Sequence, residues 1–193
     1  MAAVLIVGAT RGLGASLVKK YSTDGSAVFA TTRSQDTPKS AESKVTWIPS
    51  IDIASESAGP ALVSHIKPKG VHLDTVIIAA GYFRTESFDE PKWQDEVKMY
   101  TISSIGPVFV VQSLVKAGLM KKGSKIILVS SESGSITLRH ESEGGGNYGH
   151  HASKAALNMV GKLLSLDLKE QGIAVGILHV CLSSALFGQG HWG

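Results

Sequence analysis

The fold class turns on "AVLIVGATRGLGASLVKKYS", residues 3–22. Its first five residues are apolar and do not alternate with polar ones, so a strand here must be buried on both faces. Gly8, Gly12 and Gly14 follow at once, and "GLGASLVKKYS" then reads as a helix. A glycine-rich turn between a first strand and a helix lets backbone come close to a pyrophosphate. The helix N-terminus adds free N–H groups and positive potential. Gly8, Thr10, Arg11, Gly12, Leu13 and Gly14 are therefore candidate phosphate-facing residues; the other reading is a plain tight turn.

Outward from that stretch, similar apolar runs recur at 27–32, 45–48, 75–80, 125–130 and 173–180. Helix-like segments separate them: a weak one around "GPALVSHI", a long one from Glu90 to about Met120, and another from about Tyr148 to Gln171. Strand alternating with helix predicts a parallel sheet covered on both faces, an α/β doubly wound sheet of the Rossmann type with about six strands. The segment from Tyr148 to Gln171 carries Leu157, Met159, Val160, Leu163, Leu164, Leu166 and Leu168, more apolar residues than one core stripe needs. Either a second copy covers the extra face, giving a homodimer or homotetramer, or later chain does.

Composition narrows the class. With 193 residues, 43% hydrophobic and 18% charged, the chain fits one globular domain. The net charge of +3 is scattered, which argues against nucleic acid or an anionic membrane as partner. Cys181 is the single cysteine, no apolar run approaches the ~20 residues of a membrane span, and no positively charged segment precedes the first apolar run. A cytoplasmic protein with no metal site is expected.

Cofactor choice is read after the second strand, where a carboxylate would accept hydrogen bonds from a ribose 2′-hydroxyl and repel a 2′-phosphate. The residues there are Thr31, Thr32, Arg33 and Ser34. Arg33 and Arg11 could each pair with a phosphate, so NADP(H) is expected in preference to NAD(H). The competing reading makes Arg33 a solvated loop residue. Asp52, with Ile53 beside it, could meet the adenine or could cap the next segment.

"GATRGLG", "AAG" at 79–81, "SSESGS" at 130–135 and "HHASKAALNM" at 150–159 occur in that order. Together they resemble the short-chain dehydrogenase/reductase family, in particular carbonyl-reductase-like members related to the bacterial C-factor. The resemblance implies hydride transfer between NAD(P)(H) and a small carbonyl or alcohol, with Ala79, Ala80 and Gly81 at the cofactor. It implies that Ser131 polarises the carbonyl, with Ser130 and Ser133 as alternatives, and that Lys154 binds the nicotinamide ribose. The family's tyrosine, four residues before that lysine, is replaced by His150. Four residues turn a helix by about 400°, so His150 and Lys154 share a face.

An imidazolium near its ordinary pKa of ~6.5 can donate a proton at neutral pH, although the Lys154 cation would depress that value. His150 is thus either the proton donor or the occupant of an inactive site. Tyr148, about 600° of helix from Lys154, could serve only if the chain before His150 is not helical. Ser103 falls where the resemblance implies an asparagine. Phe83, Arg84, Leu138 and Arg139 are expected near the mouth of the site or as ordinary surface. Resemblance ends at about His179, because Val180 and Cys181 stand where a Pro-Gly turn is expected. The boundaries are 1–179 for the nucleotide-binding domain and 180–193 for an irregular tail, as in a truncated or spliced product. Two rivals to the oxidoreductase are a nucleotide-binding protein that acts through a partner surface without turnover, and a non-redox enzyme with His150 as base.

Overall fold

Strand β1 (Ala3–Val7) is buried at all five residues, as its unbroken apolar run requires. In the computed structural model, which describes residues 1–38 and 44–179, it lies at the centre of a six-stranded parallel sheet. The other strands are β2 (Ala27–Thr31), β3 (Val45–Ile48), β4 (Thr75–Ile78), β5 (Lys125–Ser130) and β6 (Ala174–His179). Their order is β3-β2-β1-β4-β5-β6. The direction of winding reverses between β1 and β4, and in sheets of this kind ligands bind in the crevice beyond the strand C-termini at that point.

The helices are α1 (Gly12–Thr23), α2 (Ala58–Ile66), α3 (Trp93–Tyr100), α4 (Gly106–Lys116) and α5 (Tyr148–Asp167). Alternate residues of β1 feed two cores. Ala3, Leu5 and Val7 pack with Leu62 and Ile66 of α2, Val110 and Leu114 of α4 and Leu157 of α5. Val4 and Ile6 pack with Val18, Leu17 and Tyr21 of α1. The doubly wound architecture expected from the sequence is thus present.

The helix expected from Glu90 to Met120 starts later and is interrupted. Pro91 disfavours helical backbone at Glu90, so the helix begins at Trp93. A five-residue π turn, Thr101–Ile105, separates α3 from α4. Gly106 lets this joint pack closely, since a Cβ there would lie 2.8 Å from the Ile53 side chain. After Lys116 the chain turns at Gly118 with φ of 72°, a conformation that ends helices. Helix α5 stops at Asp167, four residues short of the expected end. Val180, Cys181 and the remainder of the proposed tail lie outside the described residues.

Candidate active site

The strand order brings the C-terminal ends of β1, β4 and β5 side by side, and each delivers one part of the site. After β1, Gly8 has φ of 87°, and a Cβ on it would lie 2.6 Å from the Ala80 backbone. A Cβ on Gly14 would run into the Gly8 carbonyl oxygen. Only glycine permits this closure of turn, helix and the Ala79–Gly81 segment. Thr31, at the end of β2, fastens the turn from below: its Oγ1 accepts the Gly8 N–H at 3.0 Å and its carbonyl accepts the Ala9 N–H at 3.3 Å.

Helix α1 starts without an acidic residue in its first turn, and Arg11 at its N-cap makes no side-chain cap. Its first N–H groups therefore remain available to an anion, with positive helix potential behind them. The cradle fits a dinucleotide pyrophosphate. Thr10, Arg11, Gly12 and Arg33 are all exposed along it, and Leu13 is half-buried. Asp52 is exposed and its Oδ1 accepts the Ala54 N–H at 3.0 Å, so it does cap the following turn. The Ile53 side chain packs into the core rather than toward the cradle.

After β5, Ser131 begins a tight turn, and its Oγ accepts the Ser133 N–H at 3.2 Å. Its hydroxyl proton is left to donate elsewhere. Ser130 is buried and donates to Asn158 Oδ1 at 2.7 Å, while Asn158 Nδ2 donates to the Gly134 carbonyl at 3.3 Å. Those two bonds tie the turn to α5. Gly134 makes the approach possible, because a Cβ there would lie 2.8 Å from the Lys154 carbonyl oxygen.

Lys154 is only 8% exposed, and its Nζ donates to the Val129 carbonyl at 2.9 Å. Burial pushes its ammonium down to about 8. His150, one turn earlier, is pushed down to about 4. Burial is the larger cause, followed by the Lys154 and His151 charges. The depression expected from Lys154 is thus present but secondary. Phe83 stands edge-on to the ring, with centroids 4.8 Å apart, and Nδ1 is buried with no hydrogen-bond partner. A proton on Nδ1 would have no acceptor, so the favoured neutral ring carries its hydrogen on Nε2. That N–H can donate a hydrogen bond to a substrate oxygen.

Tyr148 is the first residue of α5, so the irregular backbone that would let it replace His150 is not found. The ring is 40% exposed. Ser103 occupies the π turn, with its hydroxyl buried and unpartnered. Near the mouth, Arg139 Nη1 approaches His151 Nε2 at 3.2 Å, and Arg84 Nε donates to the Tyr82 hydroxyl at 3.2 Å.

Two residues escaped the sequence reading. Asn147 precedes α5 in a left-handed conformation (φ of 50°), and Glu86, buried in the loop between β4 and α3, caps the helix. Glu86 Oε1 accepts the Gly149 N–H at 2.7 Å and Oε2 accepts the Lys92 N–H at 3.2 Å. Its backbone accepts the Asn147 N–H at 2.9 Å and donates to Asn147 Oδ1 at 3.1 Å. The Glu96 carboxyl is raised by burial, by the Glu86 charge and by a hydrogen bond between the two. No local pattern could reveal a cap supplied from 63 residues away.

Residues 2–184 match the family model for short chain dehydrogenases. The chain is 31% identical over 188 residues to 1-hydroxy-2-glutathionyl-2-methyl-3-butene dehydrogenase of Rhodococcus sp. (strain AD45), covering 93% of this chain and 76% of that protein. It is 30% identical over 89 residues to C-signal of Myxococcus xanthus, or 45% of this chain and 51% of that one. Among solved structures, NADPH-bound carbonyl reductase from chicken fatty liver superposes with a TM-score of 0.80 at 25% identity, over 93% of this chain and 75% of that one. With the glycine turn and the switch-point crevice in place, the chain belongs to the short-chain dehydrogenase family and is an oxidoreductase of the hydride-transferring kind.

Proposed function

We propose that the protein interconverts a small carbonyl compound and its alcohol with NADP(H) in preference to NAD(H). What supports this reading is that the glycine turn after β1 and the Ser131 turn after β5 lie at the C-terminal end of the sheet, with Lys154 bonded to the Val129 carbonyl of β5 and His150 one turn earlier on α5. The preference for a 2′-phosphate rests on the exposed Arg11 and Arg33 and on Thr31, Thr32, Arg33 and Ser34 at the end of β2, none of which is a carboxylate.

A reduced nicotinamide, when bound, supplies hydride to the carbonyl carbon. Ser131 Oγ donates to the carbonyl oxygen and stabilises the charge that develops there. Lys154 holds the ribose hydroxyls and adds positive potential close by. In its charged form His150 donates from Nε2 to the same oxygen and passes it that proton as the carbonyl becomes an alcohol; the neutral ring left behind recovers a proton from solvent. With the imidazole pushed down to about 4, its charged form is about one part in a thousand at pH 7. Reduction is therefore served better in acid; alcohol oxidation needs a lone pair on Nε2, hence the Nδ1–H tautomer, which the unpartnered Nδ1 disfavours.

The test is substrate-dependent NADPH oxidation with a panel of aldehydes, ketones and quinones, for the wild type and His150→Phe. Turnover that disappears in the variant supports the reading; no turnover with any substrate would contradict it. A second reading, a nucleotide-binding protein without turnover, is favoured by the unpartnered, buried Nδ1 of His150 and by the exposed Tyr148. NADPH binding without turnover would select it.

The proposed assembly is a homodimer or homotetramer in the cytoplasm. Met159, Leu163 and Leu166 form a stripe on α5 that is 60%, 52% and 53% exposed. Ile105 and Phe109 are exposed on the neighbouring joint and α4. Among the described residues, no helix is long and apolar enough to cross a membrane.

A further inference from the structure

The loop between β4 and α3 is joined to the start of α5 by more bonds than a connection of its length needs. Glu86 makes three of them: one through its carboxylate, to Gly149, and two through its backbone, to Asn147; its other carboxylate oxygen accepts the N–H of Lys92 at the start of α3. Asn147 spends its side chain on the loop and does not cap its own helix. Gly146 allows the close approach, since a Cβ there would lie 2.9 Å from the Glu86 carbonyl oxygen. Three residues before Glu86, the same loop places Phe83 edge-on to His150. One residue after Gly149, the capped helix presents the His150 ring.

We infer that Glu86 is a positioning residue, which locks the β4–α3 loop to the N-terminus of α5 and thereby holds Phe83 against His150 and keeps its Nδ1 out of water. This rests on the reading that places His150 at the reacting centre. A carboxylate suits the task because it accepts two N–H groups at once, one of them at a helix N-terminus where negative charge is favoured. The Glu96 carboxyl, hydrogen-bonded to Glu86, holds the pair from α3.

The charged groups that act on the ring are Lys154 and His151 on α5; the neighbouring elements carry Arg84 and Glu86 on the loop, Glu96 on α3, and Arg139, bonded to His151. Of these, Lys154 and His151 act on the imidazole, and both favour its neutral form, as burial does. Loss of the Glu86 charge alone would favour the neutral form further. Release of Phe83 would admit water and favour the charged form. The two effects have opposite signs, so the direction of the change identifies which one operates.

The experiment is an NMR titration of the His150 ring carbons and protons in the full chain, assigned by their loss in His150→Phe. Wild type, Phe83→Ala, Glu86→Ala and Asn147→Gly are compared, each shown to be folded by circular dichroism. Asn147→Gly keeps the left-handed backbone accessible and removes one bond of the lock, so it provides the test if Glu86→Ala does not fold. The expected result is an upward move of the His150 midpoint by about one pH unit or more in Phe83→Ala and Glu86→Ala, and a smaller upward move in Asn147→Gly. Each should be accompanied by loss of the Phe83 ring-current shift. A downward or unchanged midpoint in the folded clamp variants, with the ring-current shift intact, would overturn the inference. The titration needs no turnover, so an inactive protein whose His150 midpoint moves as expected would refute the proposed reaction and leave the positioning role standing.

Discussion

Lys154 holds a buried ammonium against the Val129 carbonyl, and the native state carries the cost. Its pKa falls from the ordinary 10.5 to about 8 on folding. Below pH 8 both states are charged and the whole penalty is present. Between about 8 and 10.5 the native state sheds the proton while the unfolded chain keeps it, so native stability rises with pH through that window. Lys154→Met is predicted to stabilise the protein without cofactor at pH 7 by about 1–3 kcal/mol, with the advantage shrinking as pH rises above 8. Urea unfolding at pH 7 and pH 10 measures it, and an equal or less stable variant at pH 7 would show that the charge is well solvated. For His150 the sign is the same but the window is lower: as pH falls from about 6.5 to about 4 the native state loses stability, which limits the acid conditions that would charge the ring. Tyrosine at this position needs no such compromise. His150→Tyr is predicted to raise carbonyl reduction at pH 7 by about tenfold or more, with a flatter dependence between pH 5 and 7. A variant no faster than wild type in steady-state assays would mean that proton delivery is not limiting.

The legibility of the elements differed with the range of the forces that make them. The six strands were readable because continuous apolar runs between polar segments leave few alternatives for a chain that must bury both faces. Gly8 and Gly14 were readable because the closeness of β1, α1 and Ala80 leaves no room for a Cβ. The break at Thr101–Ile105 was not, since "TISSIGP" keeps helical periodicity and the π turn answers to packing of Gly106 against Ile53. Glu86 was missed for the same reason: its meaning lies in Gly149 and Asn147, more than sixty residues away. On α5, the surplus of apolar residues noted in the sequence resolves into Leu157 and Leu168 in the core and Met159, Leu163 and Leu166 outside it. If that stripe is an interface between copies, Leu163→Glu should shift the protein to a smaller species in sedimentation velocity with its circular dichroism unchanged. A wild type that already sediments as a monomer would remove the oligomer from the account.

At the scale of the molecule, the sheet ends the strands that carry the glycine turn and the Ser131 turn on one rim, and the proposed nucleotide and proton chemistry is assigned to that rim. The strand order follows from the alternation of strands and helices, which favours parallel pairing by crossover connections. What could not be read from the sequence is the state of His150, because the burial of its Nδ1 depends on Phe83 and on the packing of α5, both tertiary properties. The most direct measurement is a calorimetric titration of the purified protein with NADPH and, separately, with NADH. One NADPH per chain, bound at least about tenfold more tightly than NADH, equivalent to ~1.4 kcal/mol, is the predicted result. Absence of binding by either nucleotide would contradict the account at its foundation, since the glycine cradle would then hold nothing for Ser131, His150 and Lys154 to act upon.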